Sequence, residues 1–352
     1  MKIVFFIGSM GSGGAERVLS ILANHYSSMG HDVEIALLLQ NKVSYVLDEK
    51  IKIVDLSGKH SSYFRNLPRW FISIRKYLKE TKPDRVVSFV GRINALVLMS
   101  TLGMKIPVIA SERNDPKHDG RSSFMLKVCN KSYGLGHCRA VVHQTKYEQS
   151  CFVSSLEPKS HVIPNPIEVN AERTEPKKWR IVTAGRLIEQ KNHKMLISAV
   201  ARLKDEFPEL TLDIYGDGGM KDELHSLIDE LLVSDRIFLR GNSSKLHSEI
   251  ANAGIFIMTS KFEGLSNALL EAMSLGIPCV STDYPGADEL ISSGENGLLV
   301  GMDDVDGLSE AIRRILTDEK LREKLSEKAL ESSAAYKKDK VLEMWDKVIV
   351  NE

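Results

Sequence analysis

The chain has 352 residues, 43% of them hydrophobic, and a formal net charge of zero at pH 7. Because this length exceeds the size at which one hydrophobic core usually stops growing, two domains are expected. No apolar run approaches the roughly 20 residues of a membrane span, and the start of the chain has too short an apolar run for a signal peptide, so a soluble or peripheral protein is predicted.

The first half of the chain alternates short apolar runs with amphipathic stretches. Buried strands are predicted at the runs KIVFFIG, DVEIALLL, DRVVSFV and PVIAS, and the first helix is predicted to begin near Ala15. Strands that alternate with helices are typical of a parallel sheet with crossover connections.

Glycines cluster between the first strand and the first helix, at Gly8, Gly11, Gly13 and Gly14. Glycine allows backbone N–H groups to approach a phosphate or a sugar closely. Only half of a dinucleotide fingerprint is present, since Glu16 stands where a third glycine belongs and the second strand ends without an acid for a ribose. The pattern therefore argues against NAD binding.

The segment 61–80 combines an apolar stripe at helical spacing with basic residues, which suits an interfacial helix on anionic lipid. Half of the stripe is expected to be core, and the membrane-facing candidates are Arg65, Arg69, Trp70, Arg75 and Lys76. Residues 1–165 hold 23 Lys and Arg against 13 Asp and Glu, whereas the remainder holds 24 against 34. This asymmetry indicates an anionic partner for the first half, either nucleic acid or lipid headgroups.

The strand and helix alternation restarts after residue 180, with strands predicted at RIVTAG, LTLDIYG, RIFLRG, GIFIMTS and PCVST and helices at about 193–207 and 219–232. Residues 163–179 contain three prolines and are predicted to form an extended linker. The chain is thus predicted to be an α/β protein with two Rossmann-like domains in tandem. A cleft between them is the expected ligand site.

Arg186 and Lys191 lie in the loop AGRLIEQKN, between a predicted strand and a predicted helix. Ligands of open α/β sheets bind at the carboxyl ends of the strands. Two cations there could neutralise a diphosphate, arginine by a bidentate fork and lysine as a point charge. A solvated basic loop is the alternative.

Two glutamates eight positions apart, Glu263 and Glu271, flank a predicted helix start in EGLSNALLEAM. Ser266 or Asn267 is a suitable N-cap. Because Glu263 lies in the loop, both carboxylates can flank a ligand whose phosphates contact the free N–H groups of the helix start. Carboxylates also accept hydrogen bonds from the diols of sugars. The alternative is a loop acid and an exposed helical acid without a ligand.

No metal site is predicted. The sequence DVD at Asp304–Asp306 is better explained by a helix cap. The four cysteines, Cys129, Cys138, Cys151 and Cys279, form no CxxC pair, so reduced thiols are expected.

Motifs along nearly the whole chain resemble family 4 of the retaining glycosyltransferases, which has the GT-B fold of two Rossmann-like domains facing each other across a cleft. The motifs are, in order, SGGAER, IPNP, GRLIEQKN, YGDG, EGLSNALLEAMSLGIPCVST and NGLLV. The resemblance implies an N-terminal acceptor-binding domain at 1–165 and a C-terminal nucleotide-sugar domain at 166–335. A final helix within 336–352 is expected to pack back on the first domain.

The resemblance also implies roles for the residues of these motifs. Glu271 would accept the ribose hydroxyls, and Glu263 would contact the donor sugar. Arg186 and Lys191 would stabilise the pyrophosphate as negative charge develops on it; with Glu263 they form the expected catalytic set. Further donor contacts are implied for Gly13, Gly14, Gly264, Leu265, Ser266 and Asn267.

One position departs from the family pattern. Many members carry Ser-Glu-His after the strand PVIAS, with the histidine close to the donor sugar, whereas this chain reads SERNDP with Arg113 in that place. Arginine cannot serve as a general base. An electrostatic or acceptor-binding role near the sugar is expected for Arg113 and Asn114, and a salt bridge from Arg113 to Glu112 or Asp115 is the alternative.

The family resemblance implies a retaining reaction without a protein nucleophile, a UDP-sugar donor, and no metal or other cofactor. In its overall sequence pattern the chain is similar to bacterial enzymes that extend lipid-linked oligosaccharides. The predicted reaction moves a hexose or N-acetylhexosamine, with N-acetylgalactosamine favoured, to a polyprenyl-diphosphate-linked glycan. The predicted partners are the nucleotide sugar, the lipid-linked glycan and the anionic inner-membrane surface, not nucleic acid.

The predicted location is therefore cytoplasmic, peripheral on the inner face of the cytoplasmic membrane. Two other functions remain as alternatives. One is a nucleotide-sugar epimerase with the same fold, and the other is a non-catalytic protein that binds nucleotide sugars or polyanions.

Overall fold

The computed structural model describes residues 1–11, 13–58 and 63–351, and the chain divides into two compact units. Unit 1 comprises Met1–Pro166 and Lys338–Glu352, and unit 2 comprises Ile167–Lys337. The boundaries expected from the sequence were 165 and 335. The side chains of Tyr63 and Phe64, part of the aromatic stripe in segment 61–80, lie outside the described part of the chain, as do Ser61 and Ser62.

Unit 1 contains a seven-stranded parallel sheet with the strand order β3-β2-β1-β4-β5-β6-β7. Its strands are β1 (Lys2–Ile7), β2 (Asp32–Leu37), β3 (Lys52–Asp55), β4 (Arg85–Phe89), β5 (Val108–Ser111), β6 (Cys138–His143) and β7 (Ser160–Val162). The helices between them are α1 (Gly14–Ser28), α2 (Tyr63–Thr81), α3 (Gly91–Ser100), α4 (Ser123–Tyr133) and α5 (Lys146–Ser150).

Unit 2 contains a six-stranded parallel sheet with the strand order β10-β9-β8-β11-β12-β13. Its strands are β8 (Lys177–Ala184), β9 (Thr211–Tyr215), β10 (Ile237–Gly241), β11 (Ala253–Met258), β12 (Cys279–Thr282) and β13 (Leu298–Val300). Its helices are α6 (His193–Arg202), α7 (Lys221–Glu230), α8 (Leu246–Ile250), α9 (Asn267–Ser274), α10 (Val305–Thr317) and α11 (Glu319–Ser333), after which the chain returns to unit 1 as α12 (Lys338–Ile349).

The strand order reverses once in each sheet, between β1 and β4 in unit 1 and between β8 and β11 in unit 2. The loops that follow these strands leave the sheet in opposite directions, which opens the crevice where ligands bind in doubly wound folds. The prediction of two tandem Rossmann-like sheets is confirmed.

Both faces of each sheet are buried, because apolar residues fill successive positions of the central strands. In β11, Ile255 and Ile257 belong to one hydrophobic cluster, whereas Phe256 and Met258 belong to the cluster on the opposite face. This arrangement explains why the strands are continuous apolar runs rather than alternating ones.

The C-terminal helix α12 completes the core of unit 1. Trp345 is 0% exposed and belongs to the same cluster as Phe5 and Phe89. Its ring stacks on Phe89 with the centroids 6.2 Å apart. Trp345 thus fills the centre of unit 1, although it lies more than 170 positions after Pro166, where the first part of that unit ends.

Some element bounds differ from those predicted. Helix α6 ends at Arg202 rather than near 207, because the chain tightens there into bonds three residues apart, from Leu203 N to Val200 O and from Lys204 N to Ala201 O. Residues 177–179, predicted to belong to the linker, are the start of β8. Among the helices of the described residues, none is both long enough and apolar enough to cross a bilayer.

Candidate functional site

The loops after β8 and β11 meet at the point in unit 2 where the strand order reverses. The first loop carries Arg186 and Lys191, and the second carries Glu263. The Lys191 ammonium group forms an ion pair with Oε1 of Glu263, and both side chains are largely buried. Ser260 Oγ donates a hydrogen bond to the same oxygen at 2.6 Å. The structure thus brings together two predicted site residues that are 72 positions apart in sequence.

Further hydrogen bonds hold these two loops together. The backbone N–H of Lys261 donates to Gln190 O at 2.8 Å, and Gln190 Nε2 donates to Phe262 O at 2.8 Å. Thr259 Oγ1 donates to Lys191 O at 2.9 Å. Because both backbones are fixed, the Lys191 and Glu263 side chains start from defined positions, which lowers the cost of organising a charged site.

Arg186 is exposed on the same loop, so an incoming anion can reach its guanidinium. Its carbonyl oxygen lies 3.3 Å from Nε2 of His193, a buried residue at the start of α6. Burial lowers the pKa of His193 to about 4, so the imidazole is neutral at pH 7 and donates Nε2–H to this carbonyl. Sequence reasoning missed this role, because a histidine two residues after Lys191 belongs to no distinctive pattern.

The YGDG turn packs directly against the loop of Arg186. Gly216 has φ +142°, and a Cβ added to it would lie 1.9 Å from Gly185 O. A Cβ on Gly218 would lie 2.4 Å from Leu187 O. Glycine is therefore required for this close approach of two backbones.

The segment Gly264–Asn267 leads into α9. Ser266 is the N-cap residue, and its Oγ accepts a hydrogen bond from Leu269 N at 3.4 Å. The predicted cap is confirmed. Leu265 and Ser266 are buried, whereas Gly264 and Asn267 are partly exposed, and the start of α9 directly follows the loop of Glu263.

Glu271 points into unit 2 and is 4% exposed. Its Oε2 lies 3.4 Å from Nε2 of His247 on α8. The alternative of an exposed helical acid at this position is therefore wrong. A carboxylate buried in this way requires hydrogen-bond donors near it.

Gly13 and Gly14 lie at the start of α1 in unit 1. Gly13 is the N-cap residue, and its carbonyl accepts hydrogen bonds from Arg17 N at 3.0 Å and from Tyr45 Oη at 2.9 Å. A Cβ added to Gly13 would lie 2.1 Å from the Glu16 carboxylate. The glycine thus leaves room for Glu16 to fold back over the helix start.

Arg113 is 5% exposed in unit 1 and is held from several sides. Its Nε donates to Ser111 Oγ at 2.8 Å, and its Nη1 donates to Ile163 O at 3.1 Å and Asn165 Oδ1 at 3.0 Å. The guanidinium also lies over the Trp345 ring, 5.2 Å from its centroid. Burial lowers the pKa of Arg113 from its ordinary value, but an arginine remains charged at pH 7.

Neither salt bridge considered for Arg113 is formed. Glu112 makes a bidentate pair with Arg121, with N–O distances of 2.7 and 2.9 Å, and Asp115 accepts from His118 Nδ1 at 2.6 Å. Asn114, the other residue expected near the sugar, is exposed. Arg113 is instead a buried cation that links residues 163–165, which precede the start of unit 2, to helix α12 of unit 1.

Of the membrane-facing candidates on α2, Trp70 is wrong, and Arg75 is partly buried with its head group bonded to the protein. Trp70 is 1% exposed and packs in the core of unit 1, because the apolar side of the helix faces the sheet. Arg75 Nη1 donates to Ser100 O at 2.7 Å and Leu102 O at 2.9 Å, so its head group satisfies the carbonyls at the end of α3.

The outer face of α2 still carries basic and apolar groups. Arg65, Arg69 and Lys76 are exposed there. Phe71 and Ile72, which the sequence analysis did not single out as membrane-facing, are 37% and 66% exposed. This surface combines cations with apolar side chains, as interfacial helices do.

The acidic run at Asp304–Asp306 forms a helix cap. Asp304 is the N-cap of α10, and its Oδ1 accepts a hydrogen bond from Gly307 N at 2.8 Å. The predicted cap is confirmed. Among the described residues, no group of three His, Cys, Asp or Glu side chains is arranged to hold a metal ion.

Comparison with known proteins identifies the family. The family model described as "Glycosyl transferases group 1" matches residues 165–332, and the one described as "Glycosyltransferase Family 4" matches residues 12–171. A Campylobacter jejuni protein, N-acetylgalactosamine-N,N'-diacetylbacillosaminyl-diphospho-undecaprenol 4-alpha-N-acetylgalactosaminyltransferase, is 31% identical over 97% of both chains.

Two further comparisons agree with this family. A second Campylobacter jejuni protein, GalNAc-alpha-(1->4)-GalNAc-alpha-(1->3)-diNAcBac-PP-undecaprenol alpha-1,4-N-acetyl-D-galactosaminyltransferase, is 28% identical and covers 99% of this chain and 98% of its own. The crystal structure of HepE from Anabaena in complex with UDP is 20% identical, with a TM-score of 0.86 over 99% of both chains. This structural similarity supports the assignment of the fold.

Proposed function

Since the chain belongs to family 4 of the glycosyltransferases and has the GT-B fold, we propose that it moves a sugar from a UDP-sugar to a glycan carried on a polyprenyl diphosphate. The sugar is a hexose or an N-acetylhexosamine, with N-acetylgalactosamine favoured. Both similar Campylobacter jejuni proteins are named as N-acetylgalactosaminyltransferases of undecaprenol-linked glycans. The glycan would serve polysaccharide or glycoprotein glycan synthesis.

The observation that carries this proposal is the ion pair between Lys191 and Glu263 where the strand order of unit 2 reverses. It joins the GRLIEQKN motif to the EGLSNALLEAM motif in one place. Exposed Arg186 and buried Glu271 lie on the same two segments. These two motifs therefore offer cations for a diphosphate and carboxylates for hydroxyl groups.

The family resemblance implies a role for each residue, and the chemistry of each side chain supports that role. Arg186 and Lys191 bind the diphosphate and stabilise the negative charge that grows on it as the bond to the sugar breaks. Glu263 accepts hydrogen bonds from the donor sugar, and Glu271 accepts them from the ribose. The backbone N–H groups of 264–267 supply further donors at the start of α9. For Gly13 and Gly14 in unit 1, the family resemblance implies backbone contacts with the donor.

The proposed reaction retains the configuration at the anomeric carbon and requires no metal or other cofactor. In this route the acceptor hydroxyl attacks on the face from which the diphosphate leaves, and a phosphate oxygen takes its proton. The protein then contributes position and electrostatic stabilisation rather than a nucleophile. Arg113 does not act as a base, because an arginine stays protonated.

The proposed site of action is the cytoplasmic face of the membrane, where the chain would bind peripherally. The outer face of α2, with Arg65, Arg69, Lys76, Phe71 and Ile72, supports contact with anionic lipid. No part of the proposal involves nucleic acid.

The first test is nucleotide binding in the presence of EDTA. Thermal unfolding is recorded with UDP, GDP, ADP or NAD, for the parent protein and for Glu271→Ala. A ligand at about 100 times its dissociation constant stabilises the folded state by about 2.7 kcal/mol, and each kcal/mol raises the midpoint by roughly 2–4 °C. A shift with UDP that Glu271→Ala removes is expected.

The second test is turnover with UDP-N-acetylgalactosamine and a polyprenyl-diphosphate-linked glycan, again in EDTA. The expected product is the glycan extended by an α-linked sugar, identified by mass and by the anomeric coupling constant. A β-linked product would overturn retention, and activity restored only by added metal would overturn metal independence. Stabilisation by NAD alone, or by no nucleotide, would contradict the donor site itself.

A further inference from the structure

The side chain of His247 connects two segments of unit 2 that are distant in sequence. The backbone N–H of Asn170, near the start of the unit, donates a hydrogen bond to His247 Nδ1 at 3.3 Å. On the other side of the ring, Nε2 lies 3.4 Å from Oε2 of Glu271. The imidazole thus bridges the linker backbone and the carboxylate assigned to the ribose.

The contact with Asn170 decides which ring nitrogen carries the hydrogen. A backbone N–H can only donate, so Nδ1 accepts with its lone pair. In such an imidazole the hydrogen lies on Nε2, the nitrogen that faces Glu271. His247 therefore presents a donor, rather than a lone pair, to the carboxylate oxygen.

The Nε2–H of His247 can interact strongly with the Glu271 carboxylate because both side chains are mostly buried. The Glu271 side chain is 5% exposed and that of His247 is 19% exposed, so little water screens their interaction. Helix α9 fixes the Glu271 backbone, but a glutamate side chain keeps three rotatable bonds. A donor beside Oε2 favours the side-chain orientations that keep this oxygen near Nε2 of His247.

We propose that His247 is a positioning residue that orients Glu271 for nucleotide binding. The inference rests on the proposed function, because it assigns His247 to the ribose end of the donor site. His247 acts through Glu271 and not on the nucleotide. Because the Asn170 backbone holds the His247 ring, the affinity for the nucleotide would also depend on the first residues of unit 2.

The test compares His247→Phe with His247→Gln. Phenylalanine keeps the ring volume without a donor, whereas glutamine supplies an amide N–H near the position of Nε2. His247→Phe is expected to raise the UDP dissociation constant and the donor KM roughly three- to tenfold, the worth of one hydrogen bond. Less than a twofold change in kcat is expected, and His247→Gln is expected to recover most of the affinity.

A double-mutant cycle isolates the contact from a merely structural effect. In a Glu271→Gln background, His247→Phe is expected to change UDP affinity by much less than it does in the parent, because the partner is already altered. The thermal midpoint of each variant is measured without ligand, and His247→Leu replaces His247→Phe should the latter not fold. A lowered midpoint with unchanged UDP affinity would overturn the proposal.

Equal losses in His247→Phe and His247→Gln, or full additivity in the cycle, would also overturn it. These outcomes differ from a failure of the proposed function. If the parent protein bound another nucleoside diphosphate in place of UDP, the UDP assignment would fail. The same variants measured with that nucleotide would still decide the role of His247.

Discussion

The Lys191–Glu263 ion pair joins the two halves of the candidate site through single side chains. Each residue comes from a different loop, and Ser260 adds a hydrogen bond to the same Glu263 oxygen. The carboxylate is therefore held beside a cation, where it can accept from a sugar hydroxyl while Lys191 approaches a phosphate.

Replacing Glu263 with glutamine tests this arrangement. We expect Glu263→Gln to lower the transfer rate by about 10²-fold or more, because an electrostatic contact made at the reacting centre is lost. UDP affinity should change little, since the proposed function assigns the nucleotide to other residues. The measurement is the initial rate of sugar transfer together with UDP calorimetry.

Glu189→Gln is the matched control for this change. Glu189 pairs with Lys261, which joins the same two loops, but its side chain is 68% exposed. Exposed pairs contribute little because water and salt screen them, so near-normal activity is expected. A similar loss of rate in both variants would indicate that the loops, and not the Glu263 carboxylate, had been disturbed.

The stability of the protein is expected to depend on pH through His193. Burial lowers its pKa from 6.5 to about 4. Between pH 4 and pH 6.5, His193 is therefore protonated in the unfolded chain but neutral in the folded chain. The free energy of unfolding consequently decreases as the pH falls from 6.5 toward 4, by roughly 2 kcal/mol between pH 7 and pH 5.

The variant His193→Gln should lose this pH dependence while keeping an amide donor for Arg186 O. Urea unfolding of the parent and the variant at pH 7 and pH 5 checks it, because the difference between the two proteins cancels the contributions of other groups. Parallel stability curves for the two proteins would contradict the assignment.

At the scale of elements, the site depends on loops that lie against each other at backbone distance. The turn after β9 contacts the loop after β8 through Gly216, whose φ of +142° suits glycine alone and whose Cα faces Gly185 O. The position of Arg186 and Lys191 thus depends on a strand neighbour as well as on their own loop.

We expect Gly216→Ala to destabilise the protein by more than about 2 kcal/mol, since the added methyl group meets backbone atoms that cannot rotate away. UDP binding should weaken in the fraction that folds. Gly219→Ala is the control, because nothing lies within 4 Å of an added Cβ there. Chemical unfolding of both variants checks this, and equal stabilities would show that the backbone can shift.

At the scale of the whole molecule, the chain crosses from unit 1 to unit 2 and back, and unit 1 is completed only by its last helix. Trp345 of α12 fills the core beside Phe89 and lies under the Arg113 guanidinium. Folding of unit 1 therefore requires both ends of the chain, whereas unit 2 is one continuous segment.

Trp345→Ala should cost about 3–5 kcal/mol in unit 1, as large-to-small changes in a packed core do. Hydrogen exchange followed by mass spectrometry should show faster exchange in β1 and β4. The strands β8 and β11 and the stabilisation by UDP should be little changed. Faster exchange spread evenly over both units would contradict the assignment of Trp345 to one of them.

Local sequence determined the class of fold and the identity of the main site motifs. Continuous apolar runs separated by amphipathic stretches predict buried parallel strands, since both faces of such strands are covered. The strands β3, β6, β7 and β13 were not predicted; β6 in particular carries a charged residue within CRAVVH, which interrupts the apolar run. The caps at Ser266 and Asp304 were predicted correctly because capping depends on residues within one turn.

Only the tertiary structure decided which of these residues meet. The order of strands places the loops of Lys191 and Glu263 side by side, and no spacing in the sequence states that order. Trp70 belongs to the core and Arg113 lies against Trp345 for the same reason. Burial and long-range pairing depend on how elements pack, whereas periodicity and capping depend on neighbours along the chain.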